Sequence, residues 1–190
     1  MIHEIIVTTL NEDGSVHIAP MGIREEEGLI VIAPFKPSTT LNNIQREQSV
    51  CINMTNNVQI FAGCLTGRRD WQTVDAEKIT GQHLEDCLTH HELEVVRFED
   101  DDVRPQFFCK VVHEVIHKPF LGFNRAQAAV LEAAILASRL HMLSKEKVTT
   151  EIEYHKISID KTAGDTELKA WGWLMDKIDD FYTKQAEELL

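Results

Sequence analysis

FKPSTTLNNIQREQSVCINM, residues 35–54, places a proline, three consecutive hydroxyl residues, a short amphipathic run and an alternating apolar pattern within one stretch. Ser38 or Thr39 is positioned to cap a helix of about two turns, because a side-chain oxygen there satisfies an N–H that has no partner inside the helix. Leu41 and Ile44 would then face inward. From Ser49 the pattern changes period: Val50, Ile52 and Met54 alternate with Ser49, Cys51 and Asn53, as in a strand buried on one face. A cap needs only one hydroxyl. The first turn of a helix also presents free N–H groups and the positive end of its dipole, so the surplus hydroxyls beside Lys36 would equally suit a phosphate. Local chemistry leaves both readings open.

Strand signals surround this stretch on both sides. Residues 4–10 are rich in Ile, Val and Thr, and Asn11-Glu12-Asp13-Gly14 supplies a turn leading into a second strand over 15–22. Residues 28–33 form a short apolar run stopped by Pro34, and further strands are expected at 58–62, 93–98 and 106–117. Periodicity is poor between Leu65 and His91. After Lys118-Pro119-Phe120-Leu121-Gly122 the character becomes helical. Asn124 with Gln127 resembles a capping box, and Ala126, Ala129, Val130, Ala133, Leu136, Ala137 and Leu140 form a helical stripe over 125–143. Val148, Ile152, His155 and Ile159 suggest a second helix, with a strand still possible. Asp165 is placed to cap a third, carrying Leu168, Trp171, Met175, Ile178 and Tyr182 at helical spacing. Strands first and helices afterwards indicate an α+β chain, with a barrel over 1–118 and a helical region over 119–190, rather than alternating βαβ units.

The chain of 190 residues carries 31 acidic against 19 basic side chains, a net charge of -12 that disfavours nucleic acid and anionic membrane surfaces as partners. An anionic ligand would need a local cationic pocket, for which Lys36, Arg24, Arg46 and Arg125 are the candidates. No run of apolar residues reaches the roughly 20 needed to span a bilayer. The N-terminal MIHEIIVTTL lacks a cationic region and a small-residue cleavage site, so it reads as a strand and the protein as cytoplasmic. Cys51, Cys64, Cys87 and Cys109 are scattered without a C-x-x-C pair and read as free buried thiols.

His113-Glu114-Val115-Ile116-His117 matches H-E-x-x-H, the zinc-hydrolase signature, which requires a helix to bring both imidazoles to one metal. Its flanks, Phe107-Phe108-Cys109-Lys110-Val111-Val112 and Pro119, are those of a strand. There the two histidines would stand about 13 Å apart, so a zinc hydrolase remains a remote alternative and no metal is expected. The doublet His90-His91 reads as a solvated loop.

Read together, V-T-T-x-N-x-D-G-S at 7–15, A-P-M-G at 19–22, P-S-T-T-x-x-N-I at 37–44 and I-N-M-T at 52–55 resemble the flavin-reductase-like FMN-binding split barrels, and more closely the branch catalogued as domain-of-unknown-function family 447. F-N-R-A-x-x-A-V-L-E-A at 123–133, A-S-R-L at 137–140 and K-T-A-G at 161–164 are similar to that branch's helical C-terminal region. The resemblance implies a six-stranded antiparallel split β-barrel, a homodimer and FMN near the subunit interface. By position, Ser38, Thr39 and Thr40 would meet the phosphate with Asn43 in support. Ala19, Pro20, Met21 and Gly22 would lie along the ring, and Asn53 would help orient it. The implied activity is flavin-dependent oxidoreduction of a small molecule; a non-catalytic flavin-binding or electron-carrier module is the alternative. No catalytic acid is fixed by a motif.

Overall fold

A computed structural model describes residues 1–188. The chain divides into two compact units, one of residues 1–56 and 69–120, the other of 57–68 and the chain from 121 onward. The segment 57–68 thus groups with the helices, although it falls inside the span 1–118 expected to be barrel.

In the first unit the strands are β1 (Ile2–Leu10), β2 (Val16–Glu26), β3 (Leu29–Ile32), β4 (Ser49–Met54), β7 (Thr89–Glu99) and β8 (Gln106–Ile116), with a hairpin of β5 (Thr73–Asp75) and β6 (Gln82–Leu84) beside them. The six longer strands close into a barrel in the order β1-β2-β3-β8-β7-β4, with every neighbouring pair antiparallel. Turn chemistry explains the register. Gly14 adopts φ +81° in the β1–β2 turn, and Glu27 and Gly28 both take positive φ in a two-residue loop that matches the twist of the strands it joins.

Ile5, Val7, Ile23, Ile32, Val50, Ile52, Leu93 and Phe107 fill the barrel. Helix α1 (Thr39–Glu47) adds Leu41 and Ile44 to this core, as the sequence predicts, and Ser38 is its N-cap, accepting from Leu41 N at 3.3 Å.

Strand β4 departs from the expected half-buried pattern. Residues 50–53 are all buried, because the hairpin arm covers its outer face. Thr8 Oγ1 donates to Gln82 O at 2.6 Å. Asn53 accepts from Leu84 N at 2.8 Å and donates to Ile6 O and Thr8 Oγ1, both at 3.1 Å. On β7 the buried Glu92 carboxylate accepts from the N–H groups of Glu77 (2.7 Å), Lys78 (2.6 Å) and Ile79 (3.1 Å). Burial alone would raise the Glu92 pKa, but these donors together with His90 outweigh it and hold the carboxyl below its ordinary range.

The second unit contains α2 (Val58–Leu65), α3 (Arg125–Ser138), α4 (Lys145–Thr162) and α5 (Asp165–Glu187), with a short 3-10 turn at Leu140–Met142. Residues 58–62 are therefore helical, contrary to the expected strand. A five-residue apolar run cannot separate a period of 2 from one of 3.6, whereas Asn57, whose side chain accepts from Gln59 N at 3.1 Å, supplies a helix start. Val58 and Ala62 pack into the alanine stripe of α3, whose Ala126, Ala129 and Ala133 let the helices approach closely, with Trp171, Leu174 and Ile178 of α5. Asn124 caps α3 through Ala126 N (2.8 Å) and Gln127 N (3.2 Å), but Gln127 turns to Glu167 (3.1 Å) and does not complete a capping box. Gly164, rather than Asp165, occupies the cap position of α5, its N–H donating to Glu167 Oε2 at 3.0 Å. Arg125, Glu132 and Arg139 are exposed, as a solvated face requires.

Two stability changes are expected from this packing. Asn53→Ala leaves Leu84 N–H and Ile6 C=O without partners and should destabilise the barrel by about 2–4 kcal/mol in urea unfolding; a change near zero would show that the amide is replaceable by water. Ala133→Leu, at a fully buried position, should cost about 1–3 kcal/mol by overpacking the stripe. An unchanged midpoint would contradict the close approach of α2, α3 and α5.

Candidate functional site

Helix α1 packs against β1, β2 and β4. Its first turn contains no acidic residue, so nothing there opposes an anion. Ser38 is half-buried and Thr39 exposed, whereas Thr40 is 3% exposed and offers a ligand little surface. Asn43 is also buried, and its Nδ2 donates to Thr9 Oγ1 and Asn11 Oδ1, both at 3.0 Å. These bonds tie α1 to β1 and leave the amide no donor for a phosphate. Asn53 is likewise saturated by Ile6, Thr8 and Leu84 on the outer wall.

Ala19, Pro20, Met21 and Gly22 lie in β2 opposite Val7, Ile6, Ile5 and Glu4 of β1. Along its other edge β2 is paired with β3 only from Ile23 to Glu26. Among the described residues, 19–22 therefore have no strand neighbour on that edge. Such an edge presents backbone N–H and C=O groups to a ligand, and a proline is tolerated there because its missing donor need not serve a ladder. Met21 points toward the barrel core.

At the end of this edge, Ile2, Gly22, Ile23, Arg24, Ala33, Arg104 and Gln106 line a cleft of about 210 Å³. A Cβ on Gly22 would approach Ile2 Cγ2 to 3.0 Å, so glycine keeps this wall thin. Arg104 was not singled out by the sequence. Its Nη2 donates to Ala33 O at 3.1 Å and its guanidinium lies 4.7 Å from the Phe35 ring centroid, which fixes the loop leading to Ser38. The acidic run around it carries no signal for this role.

The candidate cations separate by position. Lys36 stands two residues before the cap and pairs with exposed Asp100 at 3.2 Å, a contact weak enough to exchange for an anion. Arg24 pairs with Glu26 at 2.6 Å and with Gln106 at 2.5 Å beside the cleft. Arg46 occupies the last turn of α1, bonding Leu10 O and Glu47. At 1.5 Å per residue it lies about 10 Å along the axis from the first turn. Arg125 is the exposed first residue of α3, in the helical unit.

His113 lies on β8, as the flanks of H-E-x-x-H predict, so the helical zinc-hydrolase geometry is absent. The expected solvated loop at His90-His91 is instead the start of β7, with His90 only 2% exposed. His90 stacks on His83, with ring centroids 3.8 Å apart, and its Nδ1 faces His117 Nε2 at 2.8 Å. The four cysteines are free and buried. Burial raises the Cys51 and Cys109 thiols to about 12 and, together with Asp86, the Cys87 thiol to about 11, so none of these three is poised as a nucleophile. A concavity of about 890 Å³ belongs to the helical unit, where charges of both signs surround Trp173. Of the sequence motifs only A-S-R-L at 137–140 reaches it, through Ala137, Ser138 and Leu140. Among the described residues no helix is long and apolar enough to cross a membrane.

Comparison with known proteins identifies the fold. Among solved structures, an FMN-bound protein from Methanosarcina mazei superposes with a TM-score of 0.79 at 23% identity, over 93% of this chain and 94% of that one. The 2-nitrobenzoate 2-nitroreductase of Pseudomonas fluorescens gives 0.52 at 21% identity, over 60% of this chain and 64% of that one. An FMN-binding protein from Thermus thermophilus with bound 1-cyclohex-2-enone gives 0.51 at 12% identity, over 60% and 69%. No curated protein matches the sequence. The family described as "Protein of unknown function (DUF447) N-terminal domain" matches residues 3–118, and that described as "Protein of unknown function (DUF447)" matches residues 124–176. The chain belongs to the DUF447 family and has the split-barrel fold of its FMN-binding structural neighbours.

Proposed function

We propose that the protein binds FMN and uses it as an oxidoreductase acting on a small molecule. The observation that carries this reading is the unpaired edge of β2 at residues 19–22, beside a helix N-terminus capped by Ser38 and free of acidic side chains. A flavin needs both parts: a flat, mostly apolar slot with a few polar groups for the ring, and donors for a phosphate of charge about -1.5 to -2. Ala19 to Gly22 would supply the slot through backbone groups. Ser38 and Thr39 would meet the phosphate, with Lys36 free to leave Asp100 and join them. Asn43 and Asn53 would hold α1 and the barrel wall in place without touching the cofactor. FMN, when bound, supplies hydride and electron transfer, and the chain's part is to bind, orient and shield it.

The reading includes a homodimer with the flavin near its interface. A cleft of about 210 Å³ is below the roughly 300–1,000 Å³ of sites that enclose a ligand. A flavin held here would stay largely open to water unless another surface covered it. Ile2, Phe35 and Val103, 66%, 61% and 59% exposed, leave apolar surface around this cleft and its loop, which suits a second copy.

Purified protein should show flavin absorption bands that survive desalting, or should quench the fluorescence of added FMN; a colourless protein that does neither would overturn the reading. Thr39→Ala removes one exposed hydroxyl without disturbing the core and should weaken FMN binding roughly tenfold, from the worth of one hydrogen bond to a charged group. Unchanged affinity would remove Thr39 from the phosphate site. Oxidation of NADH or NADPH by the flavin-loaded protein supports the enzyme, whereas binding without turnover identifies a flavin-binding or carrier module. Light scattering should give the mass of a dimer, and a monomeric mass with FMN bound would reject the shared interface.

A further inference from the structure

The covered outer wall of the barrel gathers a second set of chemically able side chains, far more concentrated than any sequence signal suggested. His83 comes from β6, Cys87 from the following loop, His90 from the start of β7 and His117 from the residue after β8. One ligating atom from each lies within 4.8 Å of all the others. The three imidazoles stack, with His83 and His117 centroids 5.2 Å apart and those of His90 and His117 5.0 Å apart. Imidazoles gain little from packing on one another in this way. Their shared feature is a set of nitrogen lone pairs turned to one place, with a thiol beside them.

We propose that His83, Cys87, His90 and His117 form a zinc site that staples the β5–β6 arm to the outer wall of the barrel.

The surrounding hydrogen bonds preset the ligands. His83 Nδ1 donates to Leu84 O at 2.9 Å, which leaves Nε2 as its free lone pair. His90 Nε2 faces Glu92 Oε1 at 3.4 Å, and a proton held there leaves Nδ1 to point at His117. A carboxylate behind a histidine is the arrangement that orients metal-ligating imidazoles. Here the same carboxylate also holds the arm through Glu77, Lys78 and Ile79. The segment bearing His117 is fixed by His117 N and Lys118 N, which donate to Leu88 O at 2.8 and 3.1 Å. His117 is exposed and gives the ion a way in, while His83, Cys87 and His90 are buried.

Chemistry favours zinc among the common divalent ions. Three imidazoles and one thiolate are borderline-soft ligands, four in number, and match tetrahedral Zn²⁺ rather than an oxygen-rich magnesium or calcium site. With bonds of about 2.0–2.1 Å to nitrogen and 2.3 Å to sulfur, ligand atoms in a tetrahedron stand roughly 3.3–3.6 Å apart. The widest pair must close by about an ångström, and the 2.8 Å His90–His117 contact must open slightly. Both are side-chain adjustments. On binding, Cys87 loses its S–H proton to solvent and turns from Leu84 O, 3.2 Å away in this structure, while His117 keeps one proton by shifting it to Nδ1. No electron moves. Four protein ligands close the coordination shell, so the ion's role is structural. His113, the first histidine of the H-E-x-x-H match, stands aside, its ring 6.1 Å from that of His90.

The test uses untagged full-length protein and is independent of flavin. Elemental analysis should find about one zinc per chain, and chelation should lower the melting temperature, as loss of a ligand bound only by the folded state requires. Cobalt added to the chelated protein should give the strong visible bands of a tetrahedral ion and a near-ultraviolet thiolate band. Cys87→Ser should abolish the thiolate band, and His117→Gln, at an exposed position, should weaken zinc binding at least about tenfold. The proposal is overturned if the protein contains no stoichiometric zinc and added zinc or cobalt produces neither a band nor a shift in melting. Band and affinity unchanged in both variants, with circular dichroism showing the fold intact, would overturn it equally.

Discussion

The side-chain amide of Asn53 is the constraint on which the barrel's outer wall depends. Its acceptor takes Leu84 N and its two donors take Ile6 O and Thr8 Oγ1, so one buried group joins β1, β4 and β6 with no donor left over. An unsatisfied amide at this depth would cost several kcal/mol, which makes the position intolerant and the hairpin arm obligatory. Because the arm is in place, strands β1 and β4 are buried on both faces, and because Glu92 receives three N–H groups from the same arm, a carboxylate is stable where none would otherwise be buried.

This arrangement divides the barrel into two chemically distinct regions. On one, the loop from Ala33 to Ser38 and the open edge of β2 leave backbone donors and hydroxyls accessible, in the manner suited to a flat ring with an anionic tail. On the other, the arm excludes water and collects imidazoles and a thiol against the wall. Helix α1 serves the first region from its N-terminus and is anchored from behind by Asn43, which bonds Thr9 and Asn11. Asn43 therefore spends its amide on fixing the helix and offers no donor at the first turn.

The parts of this architecture legible in the sequence are those governed by local rules. The Ser38 cap, the turn glycine at position 14, the alternation entering β4 and the alanine stripe of α3 each express a preference that operates within a few residues. Their tertiary surroundings agree with them, except that β4 is buried on both faces once the arm covers it. The segment 58–62 was not legible, because its apolar run suits a strand as well as a buried helix and only Asn57 and the packing against α3 and α5 decide. The capping box at Asn124 was half legible: the cap oxygen behaves locally, while Gln127 is drawn to Glu167, distant in sequence. His90 was misread for a similar reason, since a histidine doublet in a stretch of poor periodicity looks solvated until the arm that covers it is known.

By itself the sequence determined the strand-to-helix order, the α+β class, the capped helix before β4 and, through ordered short motifs, the split-barrel family. It also showed that H-E-x-x-H lies on a strand, since its flanks are β-branched and aromatic and end at a proline. Only the tertiary structure decided which polar groups remain free for a ligand. Asn43, Asn53 and Arg46 have the right chemistry for an anion or a ring, yet two are consumed by bonds to β1 and its neighbours and the third sits at the wrong end of α1. Only tertiary structure, too, brought His83, Cys87, His90 and His117 together. Their convergence depends on the register of β7 with β8 and on where the arm folds back, and these are long-range pairings that no local pattern encodes.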